Sequence, residues 1–568
     1  MSKVYSQVKF SEVLVTKVAK QNSDAKSIYS EEKESCCLAK LVPDPRFTFP
    51  VFLYLRTMMN FSHNLRLLCT AAGLSLILIS CGEKVESFEE SWESLARANE
   101  EPEWFRDAKF GIYFHWGVYS IPAYSSEWYP RMMHFKGLGV YEHHVEKYGH
   151  PSDFGYHDFV PLFRAENFDP DAWADLFVKA GARFAGPVAE HHDGFAMWDS
   201  EFTPWNSMDK GPGRDITGEL EKAIRDRGLK FLTTFHHARH LQRYKGMEEE
   251  VITREKNIHY QFRKSHYPLF PGMPPSMDDP ELNYLYGNIP EPVWLEEVWF
   301  AKLKEVVDLY SPDLIYFDSW LNYIPDSMRL RFCTYYLNHA LEEGKEVVIT
   351  RKQQDLPLEC SVDDLEKFRK NHLAEKVWMT DETISKGSWC YTEDLQIKPS
   401  VDHLHVLIDI VSKNGVLLLN ISPRADGSIP ADQQEVLLEI GGWLDRYGEA
   451  IYGTRPWYTY GEGPTEEPEK ENHGTFNKVA YTARDVRYTT SGTTVYALFL
   501  GAPEEGSEIV LESFSAQRSA RDIRVQDVSM AGGGEALEWM LDDQGLRVRM
   551  PSAGLDPMST VLKIETKE

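Results

Sequence analysis

Leu314-Ile315-Tyr316-Phe317-Asp318-Ser319-Trp320 is the stretch on which the reading of this chain turns. Four apolar or aromatic residues run straight into a carboxylate. A run that is apolar at every position has both faces covered, as in a strand of a parallel sheet. Asp318 then stands at the strand's C-terminal end. In barrels of parallel strands that end carries the chemistry. Asp is also a favoured cap for a following loop or helix, so neighbouring segments must decide between the two roles.

Those segments repeat the pattern. Gly111 to Phe114 runs into His115, and Phe184 to Glu190 into His191-His192-Asp193. Lys230 to Phe235 runs into His236-His237, Glu346 to Thr350 into Arg351, and Val377 to Thr380 into Asp381-Glu382. Gly415 to Ser422 is a further strand. Helical stretches lie between them. Asp169-Pro170 places a cap and a first-turn proline ahead of one, and Arg214-Asp215-Ile216 opens another. Residues 292–310, 326–341, 401–412 and 433–447 read as four more. Strand–helix alternation from 101 to 455 predicts an α/β chain folded as an irregular (β/α) TIM-like barrel. Past Gly453-Thr454-Arg455-Pro456 the texture changes to short strands between Gly, Ser and Asp turns. Val479–Thr482, Thr494–Leu500, Glu508–Leu511, Leu546–Met550 and Thr560–Ile564 predict a C-terminal antiparallel β-sandwich over 456–568. Residues 241–290, rich in Pro, Tyr and Asn, read as an irregular insert.

The 568 residues allow a large core and more than one domain. A net charge of −27 leaves nothing to neutralise phosphates and argues against a nucleic-acid partner. The 15 Trp and 28 Tyr suit a sugar-stacking surface and an aromatic core equally. Met58 opens a second start. Arg66 and the apolar run from Leu67 to Ile79 form a signal peptide over 58–80, too short for a comfortable membrane span. Its Leu78-Ile79-Ser80-Cys81 ending resembles a bacterial lipoprotein signal, which makes Cys81 the lipidated residue. An exported protein, periplasmic or at the cell surface and lipid-anchored to the outer membrane, is therefore expected. Residues 1–57 read as unstructured or as an over-long gene start, and 81–100, rich in Glu, as a tether. Cys333, Cys360 and Cys390 fit neither a zinc site nor a disulfide framework by spacing and are expected as free thiols.

The rim residues allow three chemistries: metal binding, polyhydroxyl binding, and acid–base work on a bound sugar. Adjacent His on one strand point to opposite faces, which disfavours a metal. No metal and no cofactor are expected. A retaining glycosidase needs a carboxylate nucleophile and a second carboxyl about 5–5.5 Å away, and Asp318 suits the first role.

The residues also carry a resemblance. Trp104-Phe105-Arg106-Asp107-Ala108-Lys109-Phe110-Gly111, His115-Trp116-Gly117 and Ser126-Glu127-Trp128-Tyr129 resemble the opening of glycoside hydrolase family 29, the α-L-fucosidases. His191-His192-Asp193-Gly194-Phe195, Phe317-Asp318-Ser319-Trp320, Asn414 to Asn420 and Gly448 to Thr454 resemble its later blocks in order. The resemblance implies retaining, exo-acting hydrolysis of terminal α-L-fucosyl residues on oligosaccharides or glycoconjugates. It implies a nucleophile at Asp318 and sugar contacts at His115, Glu127, Trp128, His191 and His192, with Arg351 at a family site position. His236 and Trp389 join the substrate-binding candidates. Asp363-Asp364-Leu365-Glu366 resembles an Asp-x-Glu stretch of some members and points to Glu366 as acid/base, with Glu382, Asp381 and Glu359 as alternates. The chain departs from the family at Phe235-His236-His237, where aromatic-Tyr-Ser is usual, and at Met379, where many members carry Glu. A galactose-configured substrate and a catalytically silent sugar-binding lipoprotein therefore stay open.

Overall fold

The computed structural model describes residues 86–243, 265–269, 272–274, 278–466, 479–519 and 523–567. Eight parallel strands form the first domain: β1 (Phe110–Phe114), β2 (Phe184–Glu190), β3 (Lys230–Phe235), β4 (Leu314–Phe317), β5 (Val348–Arg351), β6 (Val362–Asp363), β7 (Trp378–Thr383) and β8 (Gly415–Ile421). They pair in the order β6-β5-β4-β3-β2-β1-β8-β7. The short β6 meets β7 through a single parallel bridge between Asp364 and Met379, so the barrel is nearly closed. The irregularity expected from sequence is located there.

Strand alternation sorts the side chains into two layers. Tyr113, Leu232, Leu314, Tyr316, Val348, Val362, Met379, Val416 and Leu418 pack into one cluster that fills the barrel. Ile112, Phe231, Ile315, Phe317, Ile349, Trp378, Leu417 and Leu419 face the surrounding helices. Those helices are α1 (Pro170–Lys179), α2 (Ile216–Asp226), α3 (Ala301–Tyr310), α4 (Asp326–Glu342), α5 (Ser400–Ser412) and α6 (Ala431–Tyr447). Asp169 caps α1 by accepting from Ala172 N–H at 3.0 Å, and Asp215 caps α2 from Gly218 N–H at 2.9 Å, as their sequences predict.

Two expectations are corrected here. From residue 86 the supposed tether is bound to the barrel. Phe88 N–H donates to Asn338 Oδ1 on α4 at 2.7 Å, and Leu95 is buried in the main core. Within the expected irregular insert, Pro280–Tyr286 is helical, because Asp279 caps its free N–H groups and Leu282, Leu285 and Tyr286 find a core. Cys81 and the signal region lie outside the described residues.

The second domain stacks a five-stranded antiparallel sheet on a three-stranded one. Its strands are β9 (Arg455–Glu462), β10 (Val486–Ser491), β11 (Thr494–Phe499), β12 (Glu508–Leu511), β13 (Arg524–Met530), β14 (Trp539–Asp542), β15 (Gly545–Arg549) and β16 (Val561–Lys567). The sheets run β13-β16-β11-β10-β9 and β12-β15-β14 around one apolar cluster. Residues 479–482, expected as a strand, form none. Asp485 instead accepts from Thr482 N–H at 2.7 Å and from the Thr482 hydroxyl at 2.9 Å, and these local bonds compete with a ladder. Asp409 on α5 ties the domains together. It accepts from Lys413 at 2.9 Å and from Arg487 Nε on β10 at 2.6 Å, fully buried. Cys333, Cys360 and Cys390 are free and buried.

Candidate active site

The same alternation that fills the barrel builds the site above it. Inward positions continue past each strand end: Tyr113 to His115, Tyr316 to Asp318, Thr350 to Lys352, Val362 to Asp364 and Glu366, Met379 to Asp381, and Leu418 to Asn420. A register shift between Val188 and Glu190 flips the parity of β2. Glu190 therefore turns outward to Lys302 at 3.0 Å, and His191 turns in. His115, Glu127, Trp128, His191, His192, His236, Asp318, Lys352, Glu366, Asp381 and Trp389 line one cavity of about 430 Å³, with Arg239 and Trp320 at its wall.

Asp318 is held by three basic side chains. Lys352 Nζ lies 3.0 Å from Oδ1, His236 Nδ1 3.4 Å and His192 Nε2 3.5 Å from Oδ2. Burial alone would raise its pKa. The Lys352 ammonium, His236 and His192 together outweigh that and hold it well below the usual carboxylate range. Asp318 is ionised at neutral pH. Trp320, two residues on, sits in the left-handed region at φ 82°, an uncommon conformation for a bulky residue. There Trp320 stacks on Tyr323, with ring centres 5.4 Å apart. The Arg239 guanidinium lies 5.2 Å from Trp320 and 4.8 Å from Trp128.

Three of the imidazoles are kept neutral by burial. It pushes His115 and His191 well below the ordinary histidine value and His192 down to about 4. Asn420 Nδ2 donates to Trp389 O at 2.7 Å and to Thr383 Oγ1 at 3.1 Å, which fixes its Oδ1 as an acceptor. That oxygen takes the backbone N–H of His115 at 3.0 Å and its Nδ1–H at 2.8 Å. The His115 Nε2 lone pair is thereby set. Glu127 is buried, accepts from Trp389 N–H at 3.1 Å, and has its carboxyl raised by burial against the pull of backbone donors. Trp389 stacks obliquely near His115, with ring centres 5.4 Å apart.

Beneath the rim, Asp381 accepts from Tyr113 OH at 2.8 Å and from Tyr316 OH at 3.2 Å. Tyr316 OH also reaches Asp364 at 3.3 Å. Burial, and then the Asp381 charge, push the Asp364 carboxyl well above its ordinary value. Lys352 Nζ is the hub. Besides Asp318 it lies 3.3 Å from Glu366, 3.5 Å from Asp381 and 3.6 Å from Asp364.

Three candidates are placed elsewhere, and a fourth is in the cavity but already engaged. Arg351 faces outward to Asp363 at 2.6 Å, and its neighbour Lys352 enters the cavity instead. Glu382 is turned away from the cavity and paired with Lys398 at 2.6 Å. Glu359 is exposed outside it. Asp381 lines the cavity but is committed to two phenols and Lys352. Of the acid/base candidates, Glu366 reaches the cavity with a carboxylate that is still partly exposed. Sequence reasoning passed over Lys352, Asn420 and Arg239. Counting inward positions from Val348 and Leu418 finds the first two.

His191 and His192 both reach the cavity, against the expectation that neighbours face apart. They follow the register shift between Val188 and Glu190, which has already broken the alternation of β2. His237 does obey it, turning outward to lie 6.3 Å from Trp299 while His236 turns in.

A family model for alpha-L-fucosidase matches residues 76–449, and one for the alpha-L-fucosidase C-terminal domain matches residues 480–565. The chain belongs to the alpha-L-fucosidase family. It is 31% identical to tissue alpha-L-fucosidase of Rattus norvegicus over 508 residues, 85% of this chain and 94% of that protein. It is also 31% identical to the Homo sapiens tissue alpha-L-fucosidase over 471 residues, 79% and 85% of the two chains. The crystal structure of Thermotoga maritima alpha-fucosidase in complex with fucose superposes with a TM-score of 0.64 at 29% identity, covering 84% of this chain and 100% of that one. The alpha-L-fucosidase family is one of glycoside hydrolases, and the barrel and C-terminal sheets described above are the architecture of these relatives.

Proposed function

We propose that this alpha-L-fucosidase is an exo-acting, retaining enzyme that removes terminal α-L-fucosyl residues from glycans. The observation that carries the reading is the shared Lys352 ammonium, 3.0 Å from Asp318 and 3.3 Å from Glu366. Two carboxylate oxygens that touch one nitrogen this closely lie at most about 6.3 Å apart, under the ~6.5 Å at which inverting pairs begin and on the side of the closer retaining pairs.

In this reading Asp318 attacks the anomeric carbon as Glu366 gives a proton to the departing glycosidic oxygen. The C–O bond to the aglycone breaks and a glycosyl ester forms on Asp318. Water then attacks the same carbon, Glu366 takes its proton, and the ester bond breaks to free Asp318. The neutral imidazoles of His115, His191 and His192, with the ring of His236 beside them, meet the sugar hydroxyls, Glu127 accepts from one, and Trp128 and Trp389 offer ring faces. The barrel floor, filled by Tyr113, Tyr316 and Asp381, closes the cavity below and limits it to a chain end.

Turnover of nitrophenyl α-L-fucoside and β-D-galactoside, beside Asp318→Ala, tests this. Fucoside hydrolysis lost by about a thousandfold or more in the variant supports it. Hydrolysis of the galactoside alone moves the substrate and keeps the mechanism. The enzyme is further proposed to be exported and held on the outer membrane by a lipid on Cys81. The charged and apolar run ahead of that cysteine supports this, and among the described residues no helix is long and apolar enough to cross a membrane. Cys81→Ser should lose fatty-acid labelling, and unchanged labelling would refute the anchor.

A further inference from the structure

The three inward histidines from three different strands form a second kind of site within the sugar cavity. His115, His191 and His236 each offer a ring nitrogen, and these three atoms lie within 4.8 Å of one another. All three rings are buried. We propose that they bind a divalent transition-metal ion of the zinc, copper or nickel class, and that this ion excludes the sugar and so inhibits the enzyme.

Neutral imidazole is the ordinary ligand for such ions, and three of them with an open fourth position make a complete half-shell. His115 already has the outer support that metal-bound histidines use. Its Nδ1–H is held by Asn420 Oδ1 at 2.8 Å, which leaves Nε2 as a lone pair of fixed direction. His191 supplies the second observation. Its Nδ1 is buried and has no hydrogen-bond partner. Such an atom costs about 1–3 kcal/mol if left unsatisfied.

His192, His236 and Asp318 also bring ligand atoms within 4.8 Å of one another. That set is the weaker site, because the Lys352 ammonium lies 3.0 Å from Asp318 and repels a second cation there. A tetrahedral zinc with bonds of about 2.0–2.1 Å needs ring nitrogens about 3.4 Å apart. The three rings therefore close inward by side-chain rotation when the ion enters. His236 decides whether the site exists. It is the member shared by both candidate sets.

The inference rests on the cavity being the sugar site, but its first readout needs no sugar. Metal-free full-length enzyme is titrated with Co²⁺. One equivalent bound, with the visible absorption of a tetrahedral site, is expected. Zn²⁺ should displace it, and L-fucose should displace it in proportion to its occupancy. In turnover, Zn²⁺ should raise KM for the fucoside without changing kcat, and EDTA should restore the rate. A metal-dependent hydrolase would respond to EDTA in the opposite direction. His236→Tyr should weaken Co²⁺ binding by at least about 100-fold, since even an outer-shell partner is worth 10–100-fold. The wild-type competition between Co²⁺ and fucose stands independently if that variant does not fold. Absence of Co²⁺ binding below about 1 mM, or inhibition by Zn²⁺ that fucose does not compete with, overturns the proposal. Fucoside turnover without metal binding would remove this site and leave the proposed function standing.

Discussion

Lys352 Nζ lies 3.0 Å from Asp318 Oδ1 and 3.3 Å from Glu366 Oε2. One ammonium thus spans both carboxylates of the proposed mechanism. It holds Asp318 well below the ordinary range although the residue is buried. Lys352→Met leaves a buried carboxylate without its main cation, and its pKa must rise. The acidic limb of kcat/KM should move to higher pH by about one unit or more, within the 1–3 units an adjacent cation supplies. Lys352→Arg should recover much of the original limb. A pH–rate profile of the three proteins checks this, and an unmoved limb in Lys352→Met would remove the lysine from the nucleophile's control.

Glu366→Gln should slow release of a natural glycan by about 10²–10⁴-fold, the usual worth of a positioned acid. An aryl fucoside with a good leaving group should suffer less in its first step. Azide should then accelerate turnover and yield fucosyl azide of retained configuration. A small effect, equal for good and poor leaving groups, would move the acid/base role to another residue.

Glu190 and Lys302 form a fully buried pair at 3.0 Å under His191. Removing one partner strands the other charge in the core. Lys302→Met should destabilise the fold by about 3–5 kcal/mol, and Glu190→Gln with Lys302→Met by less. Urea unfolding at neutral pH measures both. Equal losses in the single and double variants would contradict the pairing.

Acid should unfold the protein earlier than its carboxylates alone dictate. Burial lowers His192 and His240 to about 4, and His134 and His403 to about 3. In the unfolded chain these groups titrate near 6.5. Between those values the unfolded state binds more protons, so stability rises with pH and is lost progressively as pH falls below about 6.5. Asp193, pushed up to about 7 by burial, works in the opposite direction: its contribution fades as pH rises from about 4 towards 7. Four rings outweigh one carboxyl. Melting temperature measured from pH 8 to pH 4 should fall most steeply between 6.5 and 4, and a flat profile through that window would refute the assignment of neutral buried histidines.

The amino-acid sequence determined the order of strands and helices, the change to a β-domain near Arg455, the family blocks and Asp318 at the end of its strand. Each of these is a local pattern: an apolar run, a cap, a turn. Alternation was legible too, since Val348 in phase with Lys352 and Met379 in phase with Asp381 separate the cavity residues from Arg351 and Glu382. What only the tertiary structure decided is where local rules yield to distant partners. The shifted register near Glu190 turned His191 inward and sent Glu190 to Lys302 on another element. The hub at Lys352 joins acids from β4, β7 and the segment after β6, separated in sequence by up to dozens of residues. The packing of Leu95 against the barrel made core out of a polar, Glu-rich approach. Sequence periodicity tells a side chain which face it shares, but burial and charge pairing depend on what the fold brings to that face, and that is set by the whole chain closing on itself.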